Sequence, residues 1–294
     1  MFPSWKERSA LPTRKVSQTL IRTVTGIVLL AVFVACMCFS VSSVLFFTAV
    51  GCIACWEIAN ALHAMQIRCS PWPSMILLVL ISVSMLFRPL LELPDALMLA
   101  MIALGIDVIS VLAYALFHKV GFENVLGTLA LFLYPMLFFL LFAYVGSKEL
   151  VQRIPIIAVV IVSASLCDIA AYFIGRWLGK HKMAPKVSPK KTIEGSVAGL
   201  IFGTLSGFGL YFALNPLLGD AQFPLALYLI ASFLCSVAGE IGDLCASMLK
   251  RQADVKDYGK ILPGHGGIMD RADSFVFALP VALLCFELYL AFVK

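Results

Sequence analysis

The chain has 294 residues, of which 61% are hydrophobic and 13% are charged, with a formal net charge of +5. Soluble domains are usually about 45–50% apolar and about 25% charged, so the composition excludes an ordinary soluble globular protein. No polar stretch exceeds about thirty residues, which also excludes a separate soluble domain. No basic fold with interleaved aromatic residues is apparent, so nucleic acid is not expected as a partner.

Nine apolar stretches predict transmembrane helices, which need about 18 or more mostly apolar residues. They cover roughly residues 20–39, 42–62, 74–92, 96–117, 125–146, 154–175, 196–214, 224–248 and 273–293. The first stretch is too long for the core of a signal peptide and is interpreted as a retained helix. We therefore predict an all-α, polytopic integral membrane protein with about nine transmembrane helices.

The distribution of positive charge predicts the orientation of these helices. Of the 22 Lys and Arg residues, 18 lie before the first helix or in every second loop, and 4 lie on the other side. Under the positive-inside rule, the N-terminus and both long polar loops face the cytoplasm. The expected location is the plasma (inner) membrane, with an active site on the cytoplasmic face.

The first five predicted helices, within residues 1–150, carry few chemical signals. They are interpreted as a scaffold that could also provide a lipid groove or oligomer contacts. Glu57, next to Trp56, is either an anchor at the membrane interface or a cavity-lining residue. Residues 151–294, with helices six to nine and two cytoplasmic loops, are predicted to form the catalytic part.

Asp168 begins the first informative stretch of the C-terminal part, because it is an ionisable residue inside an apolar run. Such a residue indicates either a functional site or a packing acid that a neighbour satisfies, and both interpretations remain open. The loop that follows contains Ser188, Lys190 and Lys191 just before a predicted helix. A helix N-terminus beside two lysines predicts a phosphate site, with a basic membrane-surface loop as the alternative.

Residues 242–273 form the most informative stretch, because charges and glycines interrupt an otherwise apolar sequence. They include Asp243, Asp254, Asp257, Asp270 and Asp273, together with Lys250, Arg251, Lys256, Lys260 and Arg271. Carboxylates suit Mg²⁺, whereas Lys and Arg suit phosphate oxygens. Gly264, Gly266 and Gly267 allow backbone N–H groups to approach an anion. Together these features predict a site for a metal-bound polyphosphate, with a charged loop that serves only topology as the alternative.

Two motifs carry a family resemblance. One runs Ser188-Pro-Lys-Lys-Thr-x-Glu-Gly195. The other combines Ser247-x-Leu-Lys-Arg251, Lys256-Asp257, Gly259, Leu262-Pro-x-His-Gly-Gly267 and Asp270-Arg-x-Asp273. Over about residues 165 to 275 the chain resembles phosphatidate cytidylyltransferases, also called CDP-diacylglycerol synthases. It departs from them at position 246, where Ala replaces an acid that many members carry near the predicted metal.

The resemblance implies transfer of CMP from CTP to phosphatidic acid, giving CDP-diacylglycerol and pyrophosphate in phospholipid biosynthesis. CTP, phosphatidic acid and the bilayer are the implied partners, and a homodimer and a second, monovalent cation are left open. The implied cofactor is Mg²⁺, held by Asp243, Asp270 and Asp273. The catalytic residues are then Asp243, Lys260, His265, Asp270 and Arg271, and the substrate-binding residues are Ser188, Lys190, Lys191, Lys250, Arg251, Gly266, Gly267 and Asp168. For His265, a role in structuring the loop is the alternative.

Other functions remain as alternatives. A CTP-using enzyme that acts on another lipid phosphate, or a lipid kinase, would share the metal and phosphate residues. A transporter or ion channel could use Asp168, Glu240 and Asp243 as an intramembrane relay. That interpretation leaves residues 262–267 without a role, and the sequence shows no repeat between its halves.

Overall fold

A computed structural model describes residues 18–91, 96–118 and 121–292. The helices are α1 (Gln18–Met37), α2 (Ser40–Ala64), α3 (Trp72–Leu91), α4 (Ala96–His118), α5 (Phe122–Leu131), α6 (Leu137–Ser147), α7 (Leu150–Leu178), α8 (Ile193–Leu214), α9 (Leu225–Gln252) and α10 (Met269–Phe292). A π-helical turn joins α5 to α6. The predicted all-α class is confirmed.

Six helical segments of the described ranges are long and apolar enough to cross a membrane. They are Ser40–Ala64, Phe122–Ser147, Leu150–Leu178, Ile193–Leu217, Leu225–Gln252 and Met269–Phe292. The other three predicted stretches contain shorter apolar helices, at Arg22–Met37, Trp72–Phe87 and Leu104–Phe117. The chain is therefore a multi-pass membrane protein. Several cations used to predict its orientation lie outside the described residues, namely Lys6, Arg8, Arg14, Lys15, Lys119 and Lys294.

A short β-hairpin lies in the loop between α7 and α8, where no strand was predicted. Its strands are β1 (Lys182–Ala184) and β2 (Ser188–Thr192), and they pair antiparallel. Thr192 ends β2 and caps α8, because its Oγ1 accepts a hydrogen bond from the N–H of Gly195 at 3.2 Å. Glu194 accepts hydrogen bonds from the N–H groups of Lys180 and His181. The hairpin and the start of α8 are thereby fixed against the end of α7.

The four C-terminal helices pack closely because α8 carries glycine at every fourth position. These glycines are Gly195, Gly199, Gly203 and Gly207, and all four are buried. A Cβ at Gly199 would lie 2.8 Å from the carbonyl oxygen of Cys167 in α7, and one at Gly207 would lie 2.5 Å from that of Tyr228 in α9. Small residues at this spacing allow helix backbones to approach closely within a membrane. The stripe therefore brings α7 and α9 close together on either side of α8.

An apolar core on the N-terminal side holds α2 against α3 and α6. Phe47 of α2 stacks on Phe142 of α6 with ring centroids 4.9 Å apart. The two sides of the molecule meet where Phe138 of α6 stacks on Phe277 of α10 at 5.4 Å. Through these contacts α2 and α6 lie against the helix that carries the predicted acids Asp270 and Asp273.

Candidate active site

A cavity of about 1070 Å³, with many charged side chains in its lining, lies where α7, β2, α9 and α10 converge. Its size is comparable with that of small-molecule sites, which are about 300–1,000 Å³. Eight of the predicted residues line it: Asp168, Lys190, Lys191, Asp243, Lys250, Asp270, Arg271 and Asp273. The other predicted residues lie outside its lining, namely Ser188, Arg251, Lys260, His265, Gly266 and Gly267. The cavity thus unites acids and cations that are up to about a hundred residues apart.

Asp270, in the first turn of α10, is 8% exposed and has both carboxylate oxygens engaged. Its Oδ2 accepts hydrogen bonds from the backbone N–H groups of Tyr258, at 2.8 Å, and Gly267, at 3.0 Å. Its Oδ1 accepts one from Lys250 Nζ at 3.1 Å. These three hydrogen bonds fix the position of the Asp270 carboxylate. Asp270 therefore organises the loop between α9 and α10 as well as facing the cavity.

Lys250, in the last turn of α9, links the two acids at the start of α10. Its Nζ lies 3.1 Å from Asp270 Oδ1 and 3.8 Å from Asp273 Oδ2. The same ammonium lies 5.2 Å from the ring centroid of Tyr258, within the range of a cation–π contact. Three neighbours thus orient the charge of Lys250 at the cavity wall.

Asp243 of α9 pairs with Lys191 of β2, whose Nζ lies 2.7 Å from Asp243 Oδ2. Burial lowers the pKa of Lys191, but the charge of Asp243, its hydrogen bond and the nearby Asp168 and Glu240 together raise it by more. The pKa of Lys191 therefore lies above its ordinary value, and the ammonium is charged at neutral pH. This pair brings the hairpin lysine and the embedded acid of α9 to the same wall of the cavity.

Two further acids, on α7 and α9, line the cavity. Asp168 of α7 accepts a hydrogen bond from Ser274 Oγ at 3.3 Å. Glu240 of α9 accepts one from Ser196 of α8 and lies 3.7 Å from the thiol of Cys167. The sequence predicts a role for Glu240 only in the transporter alternative, as part of an intramembrane relay. Its position three residues before Asp243 places both on one face of α9, which is the sequence signal for its presence here.

The segment from Leu262 to Gly267 forms a tight turn outside the cavity. The Leu262 N–H donates to the carbonyl of Gly266, and the His265 N–H donates to the carbonyl of Leu262. Gly264 and Gly266 have φ values of +77° and +85°, a conformation that L side chains rarely adopt. The ring of His265 faces α1, since the position of a Cβ on Gly26 lies 3.9 Å from it.

This turn also supports a cavity residue. The carbonyl of His265 accepts a hydrogen bond from Arg271 Nε at 2.9 Å. The Gly267 N–H, predicted to approach a phosphate, donates to Asp270 instead. Through its backbone the turn therefore fixes the positions of Arg271 and Asp270.

Glu57 of α2 is a site residue whose position the sequence did not indicate. Its side chain is 2% exposed, which contradicts the interpretation as an interfacial anchor. Its two carboxylate oxygens accept hydrogen bonds from the backbone N–H groups of Ile268, at 3.0 Å, and Met269, at 2.8 Å. Because its partners are backbone groups, no side-chain pattern in the sequence could reveal this contact.

Ala246, the departure from the family pattern, is not among the residues that line the cavity. Its side chain is fully buried, and its carbonyl accepts a hydrogen bond from Tyr258 Oη at 2.8 Å. The backbone N–H of Tyr258 in turn donates to Asp270, so the expectation that position 246 lies near the predicted metal stays a prediction. Asp168 and Glu240 supply additional carboxylates at the cavity wall.

The carboxylates suit a hard divalent cation in type, although the side chains are now paired with lysines. Among the residues that the structure describes, no three His, Cys, Asp or Glu side chains converge closely enough to hold a metal ion. Asp243 has one oxygen on Lys191, and Asp273 has a 3.8 Å contact with Lys250 through its Oδ2. Lysine side chains are flexible, and their partners can be exchanged for a bound cation. The chemistry of the donor set therefore fits Mg²⁺.

Residues 20–289 match the profile of the Cytidylyltransferase family. Phosphatidate cytidylyltransferase of Staphylococcus haemolyticus is 46% identical over 116 residues, which cover 40% of this chain and 43% of the relative. The protein of that name from Bacillus subtilis is 42% identical over 122 residues, covering 42% and 44%. The one from Staphylococcus saprophyticus is 47% identical over 116 residues, covering 40% and 43%.

These alignments span less than half the length of each curated relative. The family profile, by contrast, extends over most of the helices described above. The cavity residues from Asp168 to Asp273 all fall within the matched range. This chain belongs to the cytidylyltransferase family.

Proposed function

We propose that this protein is a phosphatidate cytidylyltransferase, which transfers CMP from CTP to phosphatidic acid and releases pyrophosphate. The observation that carries the proposal is a cavity that combines five aspartates with two lysines of β2 and one of α9. Family membership and the names of the relatives support the same reaction.

The reaction needs alignment and positive charge more than proton transfer. A phosphate monoester is largely dianionic near neutral pH, because its second pKa is about 6. A phosphatidate oxygen attacks the α-phosphorus of CTP and forms a new P–O bond. The bond from that phosphorus to the bridging oxygen breaks, and pyrophosphate leaves with the electron pair. The main obstacle is repulsion between two anions, which cationic side chains reduce.

The cavity residues can be assigned to these tasks. Lys190 and Lys191, on the hairpin, hold the phosphate of the lipid or of the nucleotide. Arg271 of α10 and Lys250 of α9 contact the triphosphate and stabilise the leaving pyrophosphate. Lys260 and His265 are exposed or turned away from the cavity, so in this proposal they act through the loop that carries them.

We assign the divalent cation to Asp243, Asp270 and Asp273. When bound, Mg²⁺ would neutralise charge on the phosphate oxygens. Asp270 already accepts three hydrogen bonds, so its main task is to fix the start of α10, whereas Asp243 and Asp273 have fewer contacts to give up. Asp168 contributes further negative charge from α7.

The walls of the cavity also support entry of a lipid from the side. Ile169 and Tyr172 of α7 line the cavity and are 52% and 58% exposed on the outside of the bundle. An apolar and aromatic rim of this kind suits acyl chains beside a charged headgroup site. CTP would enter from water, and phosphatidic acid from the bilayer.

The arrangement in the membrane is part of the proposal. We assign all nine apolar stretches as spans, place the N-terminus and the cavity on the cytoplasmic face, and expect the inner membrane as the location. The excess of Lys and Arg in alternate loops supports this orientation. Residues 151–294 carry the chemistry, residues 1–150 support them, and a homodimer is compatible with this division.

The test is Mg²⁺-dependent incorporation of label into lipid by the purified protein. CTP labelled at the α-phosphate should transfer its label to phosphatidic acid, and CTP labelled only at the γ-phosphate should not. Transfer of the γ-label would identify a lipid kinase. Absence of transfer from either nucleotide, with a correctly folded protein, would contradict the proposal.

A further inference from the structure

The start of α10 receives its cap from a helix more than two hundred residues earlier in the chain. The first N–H groups of an α-helix lack partners within the helix and need acceptors from elsewhere. Ile268 precedes α10 and has no side-chain oxygen to act as a cap. The carboxylate of Glu57 in α2 accepts the N–H groups of Ile268 and Met269 instead, one on each oxygen.

Two glycines of the loop make room for this carboxylate. A Cβ at Gly267 would lie 2.5 Å from Glu57 Oε1 and 2.7 Å from Oε2. A Cβ at Gly259 would also contact the carboxylate at a distance too short for real atoms. Any larger residue at these two positions would therefore displace Glu57. The absence of side chains at these two glycines is what allows the Glu57 carboxylate to fit against the loop.

The helix end that Glu57 holds carries three cavity residues within five positions. They are Asp270, Arg271 and Asp273. Glu57 is absent from the cavity lining and is buried behind it. A negative charge at a helix N-terminus also interacts favourably with the helix dipole. Glu57 is thus placed to fix the orientation of all three residues without touching the substrate.

We propose that Glu57 is a positioning residue, which aligns Asp270, Arg271 and Asp273 for binding of the metal-bound triphosphate. The proposal rests on the proposed function, since it assumes that these three residues bind the cation and the nucleotide. Misplacement of binding groups by about 1 Å can lower activity by about a hundredfold. The exact fit of a two-oxygen cap is therefore enough to affect the reaction strongly.

The first test compares Glu57→Gln with the matched control Glu149→Gln. Gln is nearly isosteric but presents only one acceptor to the two N–H groups, whereas Glu149 is exposed just before α7. We expect Glu57→Gln to raise the apparent KM for Mg²⁺ and for CTP about tenfold and to lower kcat. Glu149→Gln should match the wild type. Partial unfolding alone would lower kcat and leave both KM values unchanged, which would overturn the proposal.

Glu57→Asp provides a second variant in case Glu57→Gln folds poorly. It keeps the carboxylate on a side chain one methylene shorter, so we expect KM values between those of the wild type and Glu57→Gln. If Glu57→Asp and Glu57→Gln both had the KM values of the wild type, a positioning role for Glu57 would be contradicted. Inactivity of the wild type itself would instead contradict the proposed function.

A measurement that does not depend on enzymatic activity separates the positioning role of Glu57 from the proposed function. Hydrogen–deuterium exchange of the purified protein should show faster exchange at Ile268 and Met269 in Glu57→Gln than in the wild type. Peptides from α8 should exchange at the same rate in both proteins. Unchanged exchange at Ile268 and Met269 would show that Glu57 does not hold the start of α10.

A double-mutant cycle tests the fit between the acid and the loop. Gly267→Ala should lower kcat/KM about tenfold in the wild type, because the new Cβ displaces Glu57. In a Glu57→Ala background the same substitution should have little further effect, because the carboxylate is gone. Additive effects of the two changes would mean that the residues act independently.

Discussion

The C-terminal and N-terminal helices contribute to the cavity in different ways. Helices α7, α9 and α10 place acidic side chains directly on its wall, including Asp168, Asp243 and Asp273. Helix α2 contributes Glu57, whose carboxylate accepts hydrogen bonds from two backbone N–H groups behind that wall. The C-terminal helices carry the reactive side chains. The positions of some of those side chains depend in part on the N-terminal helices.

This difference explains why the two sides differ in what their sequences reveal. An acid in an apolar run is costly without a partner, so Asp168 and Asp243 stand out as functional candidates. Glu57 is near a predicted helix end, where an acid is ordinary. A residue that works through backbone partners leaves a weak sequence signal even when it is central to the site.

Replacement of a cavity acid should cause the largest loss of activity. It would also show how residues on the cavity wall differ from Glu57, which supports the wall from behind. We expect Asp243→Asn to lower Mg²⁺-dependent CMP transfer by more than about a hundredfold, since even partners of metal ligands cost about 10–100-fold. The matched control is Asp254→Asn, an exposed acid in the loop after α9. Rates of transfer at saturating Mg²⁺ would measure both. Similar activity in the two variants would remove Asp243 from the metal site.

Loss of a hairpin cation at the cavity wall should lower activity less than loss of Asp243. Lys191→Met removes a phosphate contact and leaves Asp243 unpaired, so we expect kcat/KM to fall about ten- to hundredfold. Lys186→Met, at the exposed tip of the hairpin, is the control. If both variants lose activity equally, the hairpin acts through its overall charge at the membrane surface.

Packing of the C-terminal helices can be tested without reference to catalysis. Gly207→Ala would place a Cβ 2.5 Å from the Tyr228 carbonyl oxygen, and backbone atoms cannot easily yield. We expect a loss of about 1–3 kcal/mol in the free energy of unfolding and a lower Tm in detergent. Gly209→Ala, with no atom within 4 Å, should leave the Tm unchanged or slightly higher. Equal Tm values for the two variants would show that the glycine stripe does not set the packing.

The sequence predicted the helical class and most of the charged residues of the cavity wall for physical reasons. Hydrophobic length identifies membrane helices, and acids three residues apart, such as Asp270 and Asp273, share a helix face. The hairpin was missed because strands of three and five residues have no clear periodicity. Lys260 and His265 match the family motif, but the turn in which His265 lies faces α1, which only the folded chain could reveal.

The capping contact also bears on the order in which the protein assembles. Chains are made from the N-terminus, so α2 enters the membrane long before α10 is synthesised. Until α10 is synthesised, Glu57 has neither of these two backbone partners. Helix α2 thus serves as a template on which the start of α10 is positioned. The site therefore forms only after α10 has been made, and a chain released before that point would lack it.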